Sequence, residues 1–141
     1  MLKEFPEYFK TLTETHVKFC NRDYTQNTTR IHYSPLITLT KDNDFNIIRF
    51  SVAYMSIMDC SPAKMDLFYK AYRKFAELLH DRRFSINFRL KAGDIFSFNN
   101  LRILHGRTEF NPNSGERHLQ GYYIDRDEII GRLNFLKKID S

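Results

Sequence analysis

The chain begins and ends with segments whose apolar side chains follow the period of a helix. In residues 2–12 the apolar positions recur at helical spacing, and Pro6 is acceptable in the first turn. Ser61 followed by Pro62 is typical of an N-cap with proline in the first helical position, and apolar positions then recur through Leu79. Residues 125–136 carry acids at their start and one apolar stripe. These patterns predict three helices.

Between these helices, apolar and polar residues alternate as in strands. Three segments before Ser61 are rich in β-branched and aromatic residues and are separated by turn-forming Asn, Asp and Thr: residues 16–20, 31–40 and 46–52. We expect antiparallel sheet there. After Leu79 the same reasoning predicts four further strands: residues 84–90, 94–98, 101–105 and 117–124. The order of elements predicts an α+β fold.

Composition narrows the class of protein. Hydrophobic residues make up 42% of the 141 residues and aromatic residues 15%, which excludes a disordered chain and indicates substantial apolar burial. The formal net charge of +5 raises the question of polyanion binding. Because basic and acidic residues are interspersed and no recognition motif accompanies them, a polyanion-binding module rests on the charge alone. We expect no nucleic acid partner and no membrane partner.

Residues 99–117, NNLRILHGRTEFNPNSGER, carry the most informative chemistry. His105 ends an apolar run, and Arg117 follows twelve residues later. A neutral imidazole is a good ligand for ferrous iron, and a guanidinium grips a carboxylate through two parallel hydrogen bonds. Each residue also has a plainer interpretation, since such a histidine is more often structural and a lone arginine is by default a surface cation.

The segments FNNLRILHGR and GERHLQGYYIDRDEIIGRLNFL resemble the C-terminal end of the gamma-butyrobetaine dioxygenase family. That family lies within the TauD/TfdA-like oxygenases, which depend on Fe(II) and 2-oxoglutarate. The resemblance is close over residues 98–136 and looser over residues 61–98. It implies a partial double-stranded β-helix, or jelly roll, with flanking helices. It also implies Fe(II) and 2-oxoglutarate as cofactors, with ascorbate as an optional addition.

The same resemblance implies a role for four residues. His105 would be the late iron ligand and Arg117 the residue that binds 2-oxoglutarate, with Arg107 as a cofactor-binding helper that orients the site. Tyr123 falls where a substrate-contacting aromatic is expected, although a tyrosine on an inward strand face is equally a core residue. No catalytic residue is expected beyond the metal site.

The family also uses an early His-x-Asp pair, and this sequence contains no His-x-Asp or His-x-Glu. Residues 1–141 are therefore interpreted as the C-terminal part of a TauD/TfdA-like domain that lacks the N-terminal part with those ligands. A second departure concerns the substrate. Where the family has an asparagine-rich segment after the strand corresponding to residues 47–50, this chain continues with Ser51 to Tyr54.

The resulting hypothesis is a fragment of a gamma-butyrobetaine dioxygenase-like hydroxylase of carnitine biosynthesis, inactive alone. A trimethyllysine dioxygenase-like fragment is the first alternative. The second alternative is a noncatalytic remnant that binds a protein partner through exposed sheet, motivated by the absent ligands and the aromatic content. The expected partner is a small quaternary ammonium acid, a homodimer is allowed for, and the expected compartment is the cytoplasm, with the mitochondrion as the alternative.

Overall fold

A computed structural model describes Met1 and residues 3–42, 44–56, 60–109, 111, 113, 115 and 118–139. In chain order its elements are α1 (Pro6–Glu14), β1 (Val17–Asp23), β2 (Thr28–Ser34), β3 (Ile37–Leu39), β4 (Phe45–Ile48), α2 (Pro62–Leu79), a 3₁₀ turn (Arg82–Phe84) and α3 (Arg126–Ile139). The chain divides into two units, Met1–Gly106 and Arg107–Ser141. Each unit is described by itself.

Two antiparallel hairpins form the sheets of the first unit. β1 pairs with β2 in a register that runs from Val17 opposite Ser34 to Asp23 opposite Thr28. The turn between them is closed by the Asp23 carboxylate, whose Oδ1 accepts hydrogen bonds from the backbone N–H of Thr25 at 2.9 Å and from the Thr25 hydroxyl at 2.6 Å. β3 pairs with β4 with a register shift between Thr38 and Leu39. An aspartate in this position closes a turn because its short side chain reaches the backbone two residues ahead.

The outer edge of β1 is occupied by a third extended segment. The backbone N–H of Cys20 donates to the carbonyl of Tyr54 at 2.7 Å, and the N–H of Ser56 donates to the carbonyl of Lys18 at 2.9 Å. These bonds form a single antiparallel bridge, in which Phe19 lies opposite Met55. β1 therefore has hydrogen-bonded neighbours on both sides.

The core of the first unit lies between its two helices and the sheets. The most buried hydrophobic residues are Leu12, Val17, Leu36, Ile37, Phe68, Ala71 and Phe75. They come from α1, β1, the start of β3 and one face of α2, where Phe68, Ala71 and Phe75 lie three or four positions apart. Residues at that spacing share one face of a helix, so α2 buries a single stripe.

The sequence predictions for the first part of the chain are largely confirmed. The long helix starts at Pro62 and ends at Leu79, but Ser61 makes no side-chain capping hydrogen bond. The first helix covers Pro6–Glu14, later than expected because Pro6 fixes its first turn. The single strand predicted for residues 31–40 is instead two strands, β2 and β3, separated by Pro35, which has no N–H for the sheet.

The strands predicted after α2 are wrong in the described residues. Residues 85–98 and 101–105 contain no strand, and alternating apolar side chains of this segment are exposed, among them Ile86 at 87% and Ile95 at 94%. Alternation fixes which side chains share a face, but a strand also needs a neighbouring backbone with which to pair. The described residues form two small sheets and no closed barrel, so α+β is confirmed as the fold class.

The second unit contains one described element, the helix α3. The sequence predicts it for residues 125–136, and it extends to Ile139. Its first turn carries Asp127 and Glu128 and its last turn Lys137 and Lys138, the arrangement that favours the helix dipole. The predicted apolar stripe is present but exposed in this structure, with Leu133 at 51% exposure.

Candidate functional site

His105 follows a tight turn that is tied to the sheet. The backbone N–H of Ile48, the last residue of β4, donates to the carbonyl of Leu101 at 2.8 Å. Within the turn, the Asn99 side chain accepts from the N–H of Leu101 at 3.0 Å, and its carbonyl accepts from the N–H of Ile103 at 3.0 Å. Asparagine suits this position because its side chain replaces a backbone acceptor. The turn therefore fixes the backbone a few residues before His105.

The His105 ring is exposed and lies beside an aromatic series. Its centroid is 4.7 Å from that of Phe98, with the two planes tilted by 59°. Phe96 lies 5.0 Å from Phe98, and Phe88 lies 4.9 Å from Phe96. Contacts of this length restrict the orientation of a ring without burying it. A side of the imidazole stays open to a ligand.

The described donors do not fit a complete iron site. Among the described residues, no three His, Cys, Asp or Glu side chains lie close enough together to hold a metal ion. A non-heme iron centre of the two-histidine, one-carboxylate type needs three protein donors. His105 offers one imidazole, so no step of iron chemistry follows from these residues alone.

The other residues singled out in the sequence fall in the second unit. Arg117 lies outside the described residues. Arg107 is exposed. Tyr123 is 86% exposed and belongs to residues 118–125, which form no strand, so its predicted place on the inward face of a strand is wrong in this structure. Beside it, the Gln120 side-chain amide donates to the Tyr122 hydroxyl at 2.7 Å.

The structure also contains a cleft that the sequence did not predict. Its volume is about 360 Å³, and it is open to solvent on one side. It is lined by Phe19, Asn21, Arg30, His32, Arg49, Phe50, Ser51 and Tyr54. The period-two pattern in β1 and β2 is the available signal, because Phe19 faces His32 and Asn21 faces Arg30 across the hairpin. The pattern alone does not fix the register that joins these pairs.

Arg49 is the most enclosed cation of the cleft. Its backbone N–H donates to the carbonyl of Leu36 at 2.7 Å, which places it directly after β4. Its side-chain Nη1 is buried, and no acceptor among the described residues lies within hydrogen-bonding distance. Burial lowers the pKa of Arg49, because desolvation disfavours the charged guanidinium.

Comparison with known proteins defines the class first, because the relatives that match this chain are dioxygenases. The Taurine catabolism dioxygenase TauD, TfdA family matches residues 1–123, and the chain belongs to that family. It is 35% identical to the gamma-butyrobetaine dioxygenase of Pseudomonas sp. (strain AK-1) over 135 residues, which covers 96% of this chain and 35% of the relative.

Two further relatives are similar over nearly the same part of the chain. The gamma-butyrobetaine dioxygenase of Homo sapiens is 29% identical over 140 residues, covering 96% of this chain and 36% of the relative. The trimethyllysine dioxygenase of Meyerozyma guilliermondii is 30% identical over 145 residues, covering 95% and 34%. The chain thus spans about a third of the length of the curated relatives it matches. In the part of the chain that the structure describes, no helix is long and apolar enough to cross a membrane.

Proposed function

We propose that this chain is the C-terminal part of a gamma-butyrobetaine dioxygenase-like hydroxylase that depends on Fe(II) and 2-oxoglutarate, and that it is inactive alone. The observation that carries the proposal is His105, exposed after a hydrogen-bonded turn in a chain that a gamma-butyrobetaine dioxygenase matches over 96% of its length. Family membership supports the oxygenase class.

Each candidate residue has a defined task in this proposal. His105 presents one unprotonated imidazole nitrogen to iron, which requires a pH at which the ring is neutral. Arg117 grips a carboxylate of 2-oxoglutarate as a planar fork, and Arg107 helps to orient the cofactor. The iron, when bound, supplies the activation of oxygen. The other two iron donors would come from protein outside this chain.

The proposed substrate is a small acid that carries a quaternary ammonium group. Such a cation cannot donate hydrogen bonds and is held by the faces of aromatic rings, a role that the proposal gives to Tyr123. Both gamma-butyrobetaine dioxygenases and trimethyllysine dioxygenases are among the relatives, so trimethyllysine is the alternative substrate. Carnitine biosynthesis in the cytoplasm is the proposed setting, with the mitochondrion as the alternative compartment.

A chimera tests the proposal directly. The upstream two thirds of the Pseudomonas gamma-butyrobetaine dioxygenase would be joined to this chain, and succinate formation from 2-oxoglutarate would be measured with gamma-butyrobetaine or with trimethyllysine. We expect turnover with gamma-butyrobetaine, its loss in His105→Ala, and its retention in His16→Ala, which removes another exposed histidine. Preference for trimethyllysine would support the alternative substrate instead.

Binding of iron separates a misfolded chimera from a wrong assignment. Anaerobic titration with ferrous iron and 2-oxoglutarate would be followed by visible absorption, where a chelated complex gives a charge-transfer band. A chimera that shows the band but no turnover with either substrate would contradict the proposed hydroxylase. We expect no band from this chain alone. A band from this chain that His105→Ala abolishes would mean that it completes a site by itself and is not an inactive part.

A noncatalytic protein-binding module is the second candidate, and a specific observation favours it. Large apolar side chains of residues 84–96 are exposed in the first unit, including Phe84 at 69% and Ile86 at 87%. Exposed apolar surface of this kind often marks a site of protein association. A monodisperse monomer that binds no apolar dye would count against this candidate.

A further inference from the structure

We propose that the cleft beside Arg49 is a binding site for a small carboxylate on an aromatic or otherwise apolar body. The cleft lies within the first unit and uses none of the described residues assigned above to iron, cofactor or substrate. Three features of the lining carry the inference: its charge, its unpaired guanidinium nitrogen and its aromatic walls.

The charge of the cleft has one sign. Arg30 and Arg49 are lining residues, His32 adds a ring that becomes positive when it is protonated, and no lining residue is acidic. The nearest identified carboxylate influence is Asp23, whose pKa is lowered mainly by its hydrogen bonds with Thr25 and only slightly by Arg30. A cleft with low-dielectric walls and one sign of charge concentrates ligands of the opposite sign.

Arg49 gives the anion a particular place to bind. Its Nη1 is buried without an acceptor among the described residues, which is costly because a buried donor loses its hydrogen bonds to water. A carboxylate offers two acceptor oxygens that match the planar guanidinium. A ligand of this type would satisfy the donor and balance the charge together.

The walls of the cleft favour an apolar body on that anion. Phe50 is held firmly, since its ring stacks on Tyr72 at 5.1 Å and meets Phe75 edge-on at 5.9 Å, so α2 supports it from behind. Phe19 and Tyr54 add two further aromatic side chains on neighbouring extended segments. Aromatic walls with a few convergent polar groups are typical of small-molecule sites.

The size of the cleft agrees with a small molecule. Its volume of about 360 Å³ is at the lower end for ligand pockets, which hold about 300–1,000 Å³. A bicyclic aromatic carboxylate fits that range, whereas a bare carboxylate leaves the aromatic walls without a contact. The probe chosen is therefore 2-naphthoate.

The test is a titration of the whole chain followed by NMR chemical shifts. Three probes would be compared: 2-naphthoate, its neutral isostere 2-naphthamide, and 2-oxoglutarate, which carries carboxylates without an apolar body. We expect 2-naphthoate to bind most tightly, to shift the amide signals of Phe50 and Tyr54, and to weaken as salt rises. 2-Oxoglutarate binding as tightly as 2-naphthoate would overturn the inferred apolar body.

Substitutions assign the binding to the guanidinium. Arg49→Gln should weaken 2-naphthoate by roughly tenfold to a hundredfold, the usual consequence of losing hydrogen bonds to a charged group. Arg49→Lys should recover only part of the loss, since an ammonium lacks the planar fork. Arg22→Gln is the matched control, because Arg22 lies on β1 with the opposite parity to Phe19 and Asn21 and should change affinity by less than about twofold.

A second variant guards against a folding defect. Arg30 is exposed, so Arg30→Gln should leave the fold intact and still weaken 2-naphthoate. The proposal is overturned if folded Arg49→Gln and Arg30→Gln bind 2-naphthoate as well as Arg22→Gln does. It is also overturned if 2-naphthamide binds as tightly as 2-naphthoate, or if no saturable binding occurs below about 10 mM.

Discussion

Phe68 is the side chain on which the stability of the first unit should depend most. It is 0% exposed and lies in α2, and its ring contacts Tyr69 at 5.6 Å and Tyr72 at 6.1 Å. Phe68→Ala should lower the free energy of unfolding by about 3–5 kcal/mol, because it removes buried apolar surface and leaves a cavity. The lost ring contacts place the expected value in the upper part of that range, since an aromatic pair contributes about 0.5–1.5 kcal/mol beyond burial.

That loss is large in relation to the total. Folded domains are stable by about 5–15 kcal/mol, so the variant should lose a substantial part of its stability. Urea unfolding followed by circular dichroism at the helix band measures it directly. With a slope of about 1–3 kcal/mol per molar urea, the midpoint should fall by roughly 2 M.

Phe84→Ala is the matched control for this prediction. Phe84 undergoes the same chemical change but is 69% exposed, and its removal should alter the free energy of unfolding by less than about 0.5 kcal/mol. Equal midpoints for Phe68→Ala and Phe84→Ala would refute the assignment of the core to α2.

Three further predictions concern charge and exposed surface. The hydrogen bonds from the Arg83 side chain hold the pKa of Asp81 at about 2, so this pair stabilises the fold above the unfolded pKa of about 3.9 and loses that contribution as pH falls toward 2. NMR titration of the Asp81 carboxyl should show the low midpoint, and Arg83→Gln should return it toward the usual range; an unchanged midpoint would contradict this. Asp23→Ala should lower the thermal midpoint by opening the β1–β2 turn, whereas Asp23→Asn, which keeps an acceptor oxygen, should lower it less. Ile86→Lys combined with Ile95→Lys should reduce the binding of an apolar dye without moving the urea midpoint, because both side chains are exposed; unchanged dye binding would locate the apolar surface elsewhere.

Local sequence signals are sufficient where an element depends mainly on itself. Ser61 and Pro62 mark the start of α2, and the apolar spacing that follows predicts its buried face, which the structure confirms. The acids and lysines of α3 likewise indicate both of its ends. Helical hydrogen bonds connect residues four positions apart, so their partners are already present in the local sequence.

Strands depend on information that the local sequence does not carry. Residues 84–90 and 17–23 are similarly patterned, yet only the second segment forms a strand, because β2 and the segment around Tyr54 supply hydrogen-bonding partners. A strand without a neighbouring backbone has no ladder to complete. The pattern therefore predicts the face of each segment and not its partner.

The same division applies to function. The motif around His105 is sufficient to indicate the oxygenase family, because a metal ligand, its preceding turn and its neighbours are close in sequence. The cleft around Arg49 requires the tertiary structure, since β1, β2 and residues 49–54 come together only through the register of a hairpin and two long-range backbone hydrogen bonds. Chemistry that is contiguous along the chain can be predicted from sequence, whereas a site assembled across strands is decided by pairing that only the folded chain fixes.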